Sequence, residues 1–380
     1  MRFAHARQGS RLEIKSRPVE FSYWPVRRST RRYGMNTSVY SNNPWPLLSR
    51  VARQDAHESV VDDVLAFLDQ ARDFARAASA AETRAAKPLL LYYSYLNLAK
   101  AYINLRDPSL ANAKAIHGLS ENVVLEQQGL AAARIRAFPR PPDKKVNVFD
   151  ELLRTVTGSG LARTTDFPVS ALLPQVVAGH RLWCSAVAAN EERFIGLEDI
   201  TFWQDKDRRE VWLRLHLFAD EVRRVAQSHG ALLEEARLDA TWQSVQCTDT
   251  ISGRKLSRLE MKEPVSYSGR AADHLSSLVE SLRSNLWAVV RNARPHRRFY
   301  LYLAPEPERA YVLPQLLSIY ALAFYFGHLT RYKPSEYRKL LDGDYGPWIE
   351  SFLSESPHQF IYLLSSDFCS QDITSVGIPM

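Results

Sequence analysis

Two sets of residues carry groups capable of chemistry. The first is Arg291-Asn292-Ala293-Arg294-Pro295-His296. An imidazole that titrates near neutrality can act as general base on a ribose 2′-hydroxyl, while an arginine stabilises charge on the reacting phosphate. Arg291 and His296 are therefore candidate catalytic residues, with Pro295 placing His296 outside a regular helix. The competing reading is a solvent-facing helix end, where Arg291, Arg294, Arg297 and Arg298 favour the negative pole of the helix dipole. Arg294, Arg297 and Arg298 would then offer a phosphate patch without catalysis. The second set is Asn97 and Lys100, with His117 further along. Residues three apart share a helix face, and polar groups in so apolar a run need partners. A ligand would supply them, or else neighbouring backbone and a carboxylate such as Glu336 or Glu350.

The spacing of the first set has the R-N-x-x-x-H form of HEPN-type ribonucleases, which implies RNA cleavage. Arginine followed by histidine after four to six residues occurs five times in the chain, against about three expected from composition. Only Asn292 sets this pair apart. Other motifs are missing: no GxxxxGK[ST] loop, no HExxH helix, no GxSxG elbow and no complete calcium loop. Gly158-Ser159-Gly160 and Asp342-Gly343-Asp344 read as turns, so no cofactor and no metal is called for. Tyr92, Tyr93, Tyr95 and Tyr102 read as core at helical spacing rather than as a platform for bases.

A net charge of +7 on 380 residues invites a nucleic-acid role. Its distribution argues otherwise. Residues 1–34 hold nine arginines and lysines against Glu13 and Glu20, and the remainder balances at forty of each sign. Without an apolar periodic segment, residues 1–34 read as a basic, disordered tail, with Met35 as an alternative start; a nucleic-acid or membrane-surface role through it is a further possibility. Cys184, Cys247 and Cys369 form no CxxC pair, which points to a reducing compartment and to the cytoplasm. Residues 310–330 lack a formal charge, but Pro314, Gln315, Ser318 and His328 make them a buried core helix rather than a membrane span.

The elements that must hold these groups follow from periodicity. Helices are expected at about 57–80, 89–105 (opened by Pro88), 149–156 and 170–190, then again from 313, with breaks at Lys333-Pro334, 342–346 and Ser356-Pro357. Strands are expected at 200–204, 211–218, 241–247, 255–261 and 298–303, with helices at about 220–238 and 270–292 between them. The fold class is mainly α with a central antiparallel sheet, α+β. The expected division is a tail (1–34), an N-terminal helical unit (35–195), an α+β middle unit (196–305) and a C-terminal helical unit (306–380) packing on the first.

The run from Pro88 to Tyr102, PLLLYYSYLNLAKAY, with His117-Gly118-Leu119-Ser120, resembles the signature region of the YaaC-like bacterial protein family. Leu329 to Tyr337, LTRYKPSEY, and Trp348 to Phe352 are similar to that family's other recurring stretch. The resemblance implies a helical protein of the bacterial cytoplasm and assigns no activity. The leading expectation is a non-catalytic binding or interaction protein, an accessory component acting with a partner protein. The alternatives are an RNA-cleaving nuclease and a binder of nucleic acid or membrane surface through the tail.

Overall fold

The computed structural model describes residues 3–25, 38–81, 84–111, 113–122, 129–142, 145–189, 192–293 and 296–376. Helix makes up 46 % and strand 21 %, so neither kind of element alone builds the cores and the fold is mixed α+β. Two compact units divide the chain. One comprises residues 1–39 and 191–310, the other residues 40–190 and 311–380.

The first unit is built on a curled antiparallel sheet. Its strands are β1 (Ser10–Arg11), β2 (Asp199–Asp205), β3 (Glu210–Phe218), β4 (Trp242–Val245) and β5 (Arg254–Met261), hydrogen-bonded in the order β1-β2-β3-β5-β4. Alternation in β3 sends Val211, Leu213, Leu215 and Leu217 into one core, as a period of two requires. The other face is not left to water. Trp212, Arg214, His216 and Phe218 are buried too, under a layer of cross-strand pairs and arginine planes. Arg214 stands opposite Glu260, His216 opposite Arg258 and Trp212 opposite Trp203. The Arg214 guanidinium lies 3.7 Å from the centroid of Trp203, and that of Arg254 lies 3.6 Å from Phe218. Alongside stands a second sheet, Phe194–Gly196 with β6 (Leu286–Val290) and β7 (Arg297–Tyr302).

Two expectations are corrected in this unit. Residues 3–25 are not a disordered tail, because they carry apolar side chains that the sheet buries: Leu12 and Val19 are 3 % and 5 % exposed. The expected helix at 270–292 is a short helical stretch, Ala271–Glu280, followed by β6. Leu286, Trp287, Val289 and Val290 form a β-branched and aromatic run too short for its periodicity to separate helix from strand, and pairing with β7 decides it.

The second unit is helical. Its main helices are α1 (Trp45–Asp55), α2 (Val61–Ala80), α3 (Lys87–Arg106), α4 (Val148–Thr157), α5 (Gln315–Tyr332), α6 (Pro334–Asp342) and α7 (Gly346–Cys369). Pro88 sits in the first turn of α3, where its missing N–H is no loss. Having apolar residues on nearly every face, α3 is surrounded. The Ser94 hydroxyl donates to the Ala71 carbonyl of α2 at 2.8 Å, Tyr95 stacks on Phe360 of α7 at 3.9 Å, and the Tyr92 edge meets Phe324 of α5. Among the described residues no helix is long and apolar enough to cross a membrane.

Here too the structure departs from the periodicity. Residues 170–190 form two short helices, Val169–Leu172 and His180–Ala186, parted at Pro174 and at Gly179, whose φ of +88° a helix cannot use. Helix α7 runs through Pro357 instead of breaking there. An interior proline costs about 3 kcal/mol, and the fully buried Phe352 and Phe360 on either side hold the two halves in line. Short strands were also missed: Lys114–Ile116 pairs in parallel with Lys145–Asn147, and Leu119–Asn122, Arg134–Ala137 and Thr165–Pro168 form a three-stranded sheet.

Candidate ligand site on the buried helix

Asn97 and Lys100 lie one turn apart on α3. Asn97 is 5 % exposed, and its side chain has no hydrogen-bond partner among the described residues. Lys100 is half-buried. Its ammonium sits 5.3 Å from the centroid of the Phe67 ring on α2, within reach of a cation–π attraction. No carboxylate among the described residues comes within ion-pair distance of it. The carboxylates expected to neutralise it are engaged elsewhere, Glu336 with Lys339 at 3.0 Å and Glu350 with Arg84 at 2.8 Å. Burial pulls the Lys100 pKa below its ordinary value, the response of a cation whose desolvation nothing offsets.

His117 reaches the same region from the connection between strands Lys114–Ile116 and Leu119–Asn122. The turn depends on Gly118. Its φ is +73°, and a Cβ there would stand 2.9 Å from Cβ of Asn147, so only glycine permits this approach. The Phe149 amide donates to the His117 carbonyl at 3.4 Å, fastening the turn to the start of α4. Nδ1 of His117 lies 2.5 Å from the Tyr92 hydroxyl. Burial, then the charges of Lys100 and Arg331, hold the His117 pKa below its usual range, while burial lifts that of Tyr92 far above. The pair is thus a neutral imidazole on a neutral phenol, beside a cation. Asn147 donates through Nδ2 to the carbonyls of Phe138 (3.1 Å) and Pro139 (2.6 Å), and its buried Oδ1 accepts nothing.

Charged groups that sequence reasoning missed flank this set. Arg331, near the end of α5, donates to the Tyr93 hydroxyl at 2.7 Å and lies 4.4 Å from the centroid of Tyr332. Glu121 holds Nε2 of His328 at 2.6 Å and Nζ of Lys333 at 3.5 Å. Burial would raise the pKa of Glu121, but His328 and Lys333 outweigh it and keep the carboxyl below its ordinary value. The signal was the Leu329 to Tyr337 stretch, which pairs with the Pro88 to Tyr102 run because α3 and α5 lie side by side.

The structure thus brings Lys100 and His117 together and puts Asn97 one turn from Lys100 on α3. Arg291 and His296 belong to the other unit, where they flank the hairpin joining β6 to β7. The Arg291 amide donates to the His296 carbonyl at 2.7 Å. This is a strand-to-strand turn, so the reading of a helix end favoured by the dipole is corrected. Arg291 is exposed, and Arg297 and Arg298 are half-buried on β7. Arg298 leans against Tyr300 and Gly196, so it does not stand out as a free patch. Arg294 lies outside the described residues, as do Arg27, Arg28, Arg31 and Arg32 of the basic stretch. Among the described residues no three histidine, cysteine or carboxylate side chains form a metal-binding group.

A protein-family model described as YaaC-like protein matches residues 32–368. No curated protein and no solved structure matches the chain.

Proposed function

We propose, from the premise that the chain belongs to the YaaC-like protein family, that it is a non-catalytic binding protein whose helical unit holds a small anionic ligand at Lys100, Asn97 and His117. One observation carries this reading: half-buried Lys100, on the helix of the signature region, has no carboxylate within ion-pair distance among the described residues. An unpaired desolvated cation costs stability, and an anion offsets that cost. Asn97 and the Nε2 edge of His117 add uncharged hydrogen-bonding groups of the kind that orient a ligand. An accessory role with a partner protein in a reducing, cytoplasmic setting accords with three cysteines kept as free thiols.

Thermal unfolding with inorganic phosphate, pyrophosphate and citrate tests the proposal. At least one of these anions is expected to raise the midpoint of the wild type and to leave Lys100→Met unmoved. A wild type indifferent to all three, or a Lys100→Met variant that responds equally, overturns it. The nuclease reading gains no supporting observation from the hairpin that carries Arg291 and His296.

A further inference from the structure

Residues 3–12 do more than lie along the sheet. They connect its two edges. At one edge Ser10 and Arg11 pair with Gln204 and Trp203 of β2, and the Leu12 amide donates to the Phe202 carbonyl at 2.8 Å. At the other, Ala4 forms a parallel bridge to Val245 of β4; its amide donates to the Ser244 carbonyl at 3.2 Å, and its carbonyl accepts from the Gln246 amide at 3.1 Å. Between these points the chain crosses the polar face of β3 and β5. There the Arg7 amide donates to Oε1 of Glu260 at 3.0 Å, and the Arg7 carbonyl accepts from the Arg214 guanidinium. Glu260 is fully buried and Arg214 is 2 % exposed. A buried ion pair that also serves one backbone N–H and one backbone carbonyl of a crossing strand recognises main chain, whatever side chain that residue carries.

Side-chain selection sits on either side of this clamp. The Arg7 guanidinium donates to the Lys262 carbonyl at 2.6 Å and lies 5.6 Å from the centroid of Trp212. At Gly9 a Cβ would stand 2.5 Å from the Trp212 ring and 2.6 Å from the Gln204 carbonyl, so no side chain fits. Leu12 fills an apolar position of the core at 3 % exposure. Main-chain hydrogen bonds at open sheet edges together with pockets for chosen side chains are the elements of strand-addition recognition. The family match begins at residue 32, so this segment lies outside the part shared with the family model.

We infer that the sheet unit is a strand-acceptor for an extended peptide of the pattern Arg-x-Gly-x-x-Leu, with Glu260 and Arg214 reading its backbone, and that residues 3–12 are its occupant in cis. A partner segment with the same pattern would bind by displacing this arm.

The test uses the full chain carrying Gly9→Val, in which the arm cannot seat, and a fluorescent peptide of residues 3–25. Anisotropy is expected to show the peptide binding this variant and binding the wild type about a hundredfold more weakly, since a tethered arm competes at an effective concentration on the order of 1 mM. The same peptide with Gly9→Val is expected not to bind. Failure of the wild-type peptide to bind a Gly9→Val chain of native circular dichroism overturns the inference. Should that variant not fold, a protease site placed within residues 26–37 of the otherwise native chain gives a second route. After cleavage the arm fragment should co-elute with the body on gel filtration and be displaced by excess peptide. A hundredfold competition at ~1 mM corresponds to a Kd of about 10 μM, so loss of the fragment from a sample held at about 100 μM, or its retention against excess peptide, overturns the inference.

Discussion

Both units bury charge, and they treat it differently. In the sheet unit the buried Arg214 faces Glu260 at 2.7 Å on the neighbouring strand, and Arg193, just before Phe194–Gly196, meets Glu308 of the short 3-10 helix Glu308–Tyr311. In the helical unit Asp150 and Glu121 are likewise paired, with Arg154 and His328, but half-buried Lys100 has no carboxylate within ion-pair distance among the described residues, and the buried Oδ1 of Asn147 has no partner there. Register explains the contrast. An antiparallel ladder puts residues of two strands directly opposite each other, so an arginine and a glutamate at facing positions complete one another. On a helix the residues three and four away take that part, as Asp150 does for Arg154 on α4 at 3.4 Å; around Lys100 they are Leu96, Asn97, Ile103 and Asn104, so only another element could supply a carboxylate. The paired charges of the sheet hold its curl and its arm. The unpaired group of the helix is where the molecule has binding energy to offer.

Breaking the sheet side of this contrast should have the largest effect. Glu260→Ala leaves Arg214 buried and uncompensated and removes the acceptor of the Arg7 amide. A loss of about 3–5 kcal/mol is expected, read by urea denaturation. Replacing both residues by apolar ones, Arg214→Met with Glu260→Leu, should recover much of it. Next comes pH. The His216 imidazole, pushed down to about 4 by burial and then by Arg258 and Arg214, folds neutral. Its contribution is complete above the unfolded value of about 6.5 and is lost as pH falls toward 4, a difference of about 3 kcal/mol. Unfolding measured at pH 7.5 and pH 4.5 should show this slope, and His216→Gln should flatten it. In the helical unit, Ser94→Ala removes the hydrogen bond that ties α3 to α2 and should cost about 1 kcal/mol. The smallest change sharpens the comparison most. Lys100→Met should leave stability unchanged or raise it by up to about 1 kcal/mol, because it deletes a half-buried charge and breaks no ion pair, losing only the cation–π contact with Phe67. A large loss would show that Lys100 has an internal partner after all.

Periodicity made the sheet strands and the long helices legible, because Val211 to Phe218 alternates and Val60 to Ala75 repeats at helical spacing. It failed where local pattern is outvoted by packing. The run Leu286 to Val290 became a strand because β7 was available to pair with it, and α7 continued through Pro357 because both of its halves are buried. The site was half visible. Asn97 and Lys100 stood out as polar residues in an apolar helix, and His117 was chosen with them. Their surroundings were not readable, since Arg331 and Glu121 come from segments far apart in sequence that meet only when α3 and α5 pack. The arm was misread for a related reason. Its charge is conspicuous, whereas the residues that anchor it, Leu12 and Val19, are single apolar positions with no period to detect.

The order of the elements along the chain also sets a schedule for synthesis. Helix α3 has apolar residues on nearly all its faces, yet α5, which covers one of them, begins at Gln315, more than two hundred residues later. At roughly 5–20 residues per second, a ribosome leaves that surface uncovered for on the order of 10–45 s. The whole sheet unit from residue 191 onward is made in the interval. The face of α3 that α5 covers is therefore exposed in the nascent chain for that time, and slower translation between residues 106 and 315 should lower the soluble yield of the full chain.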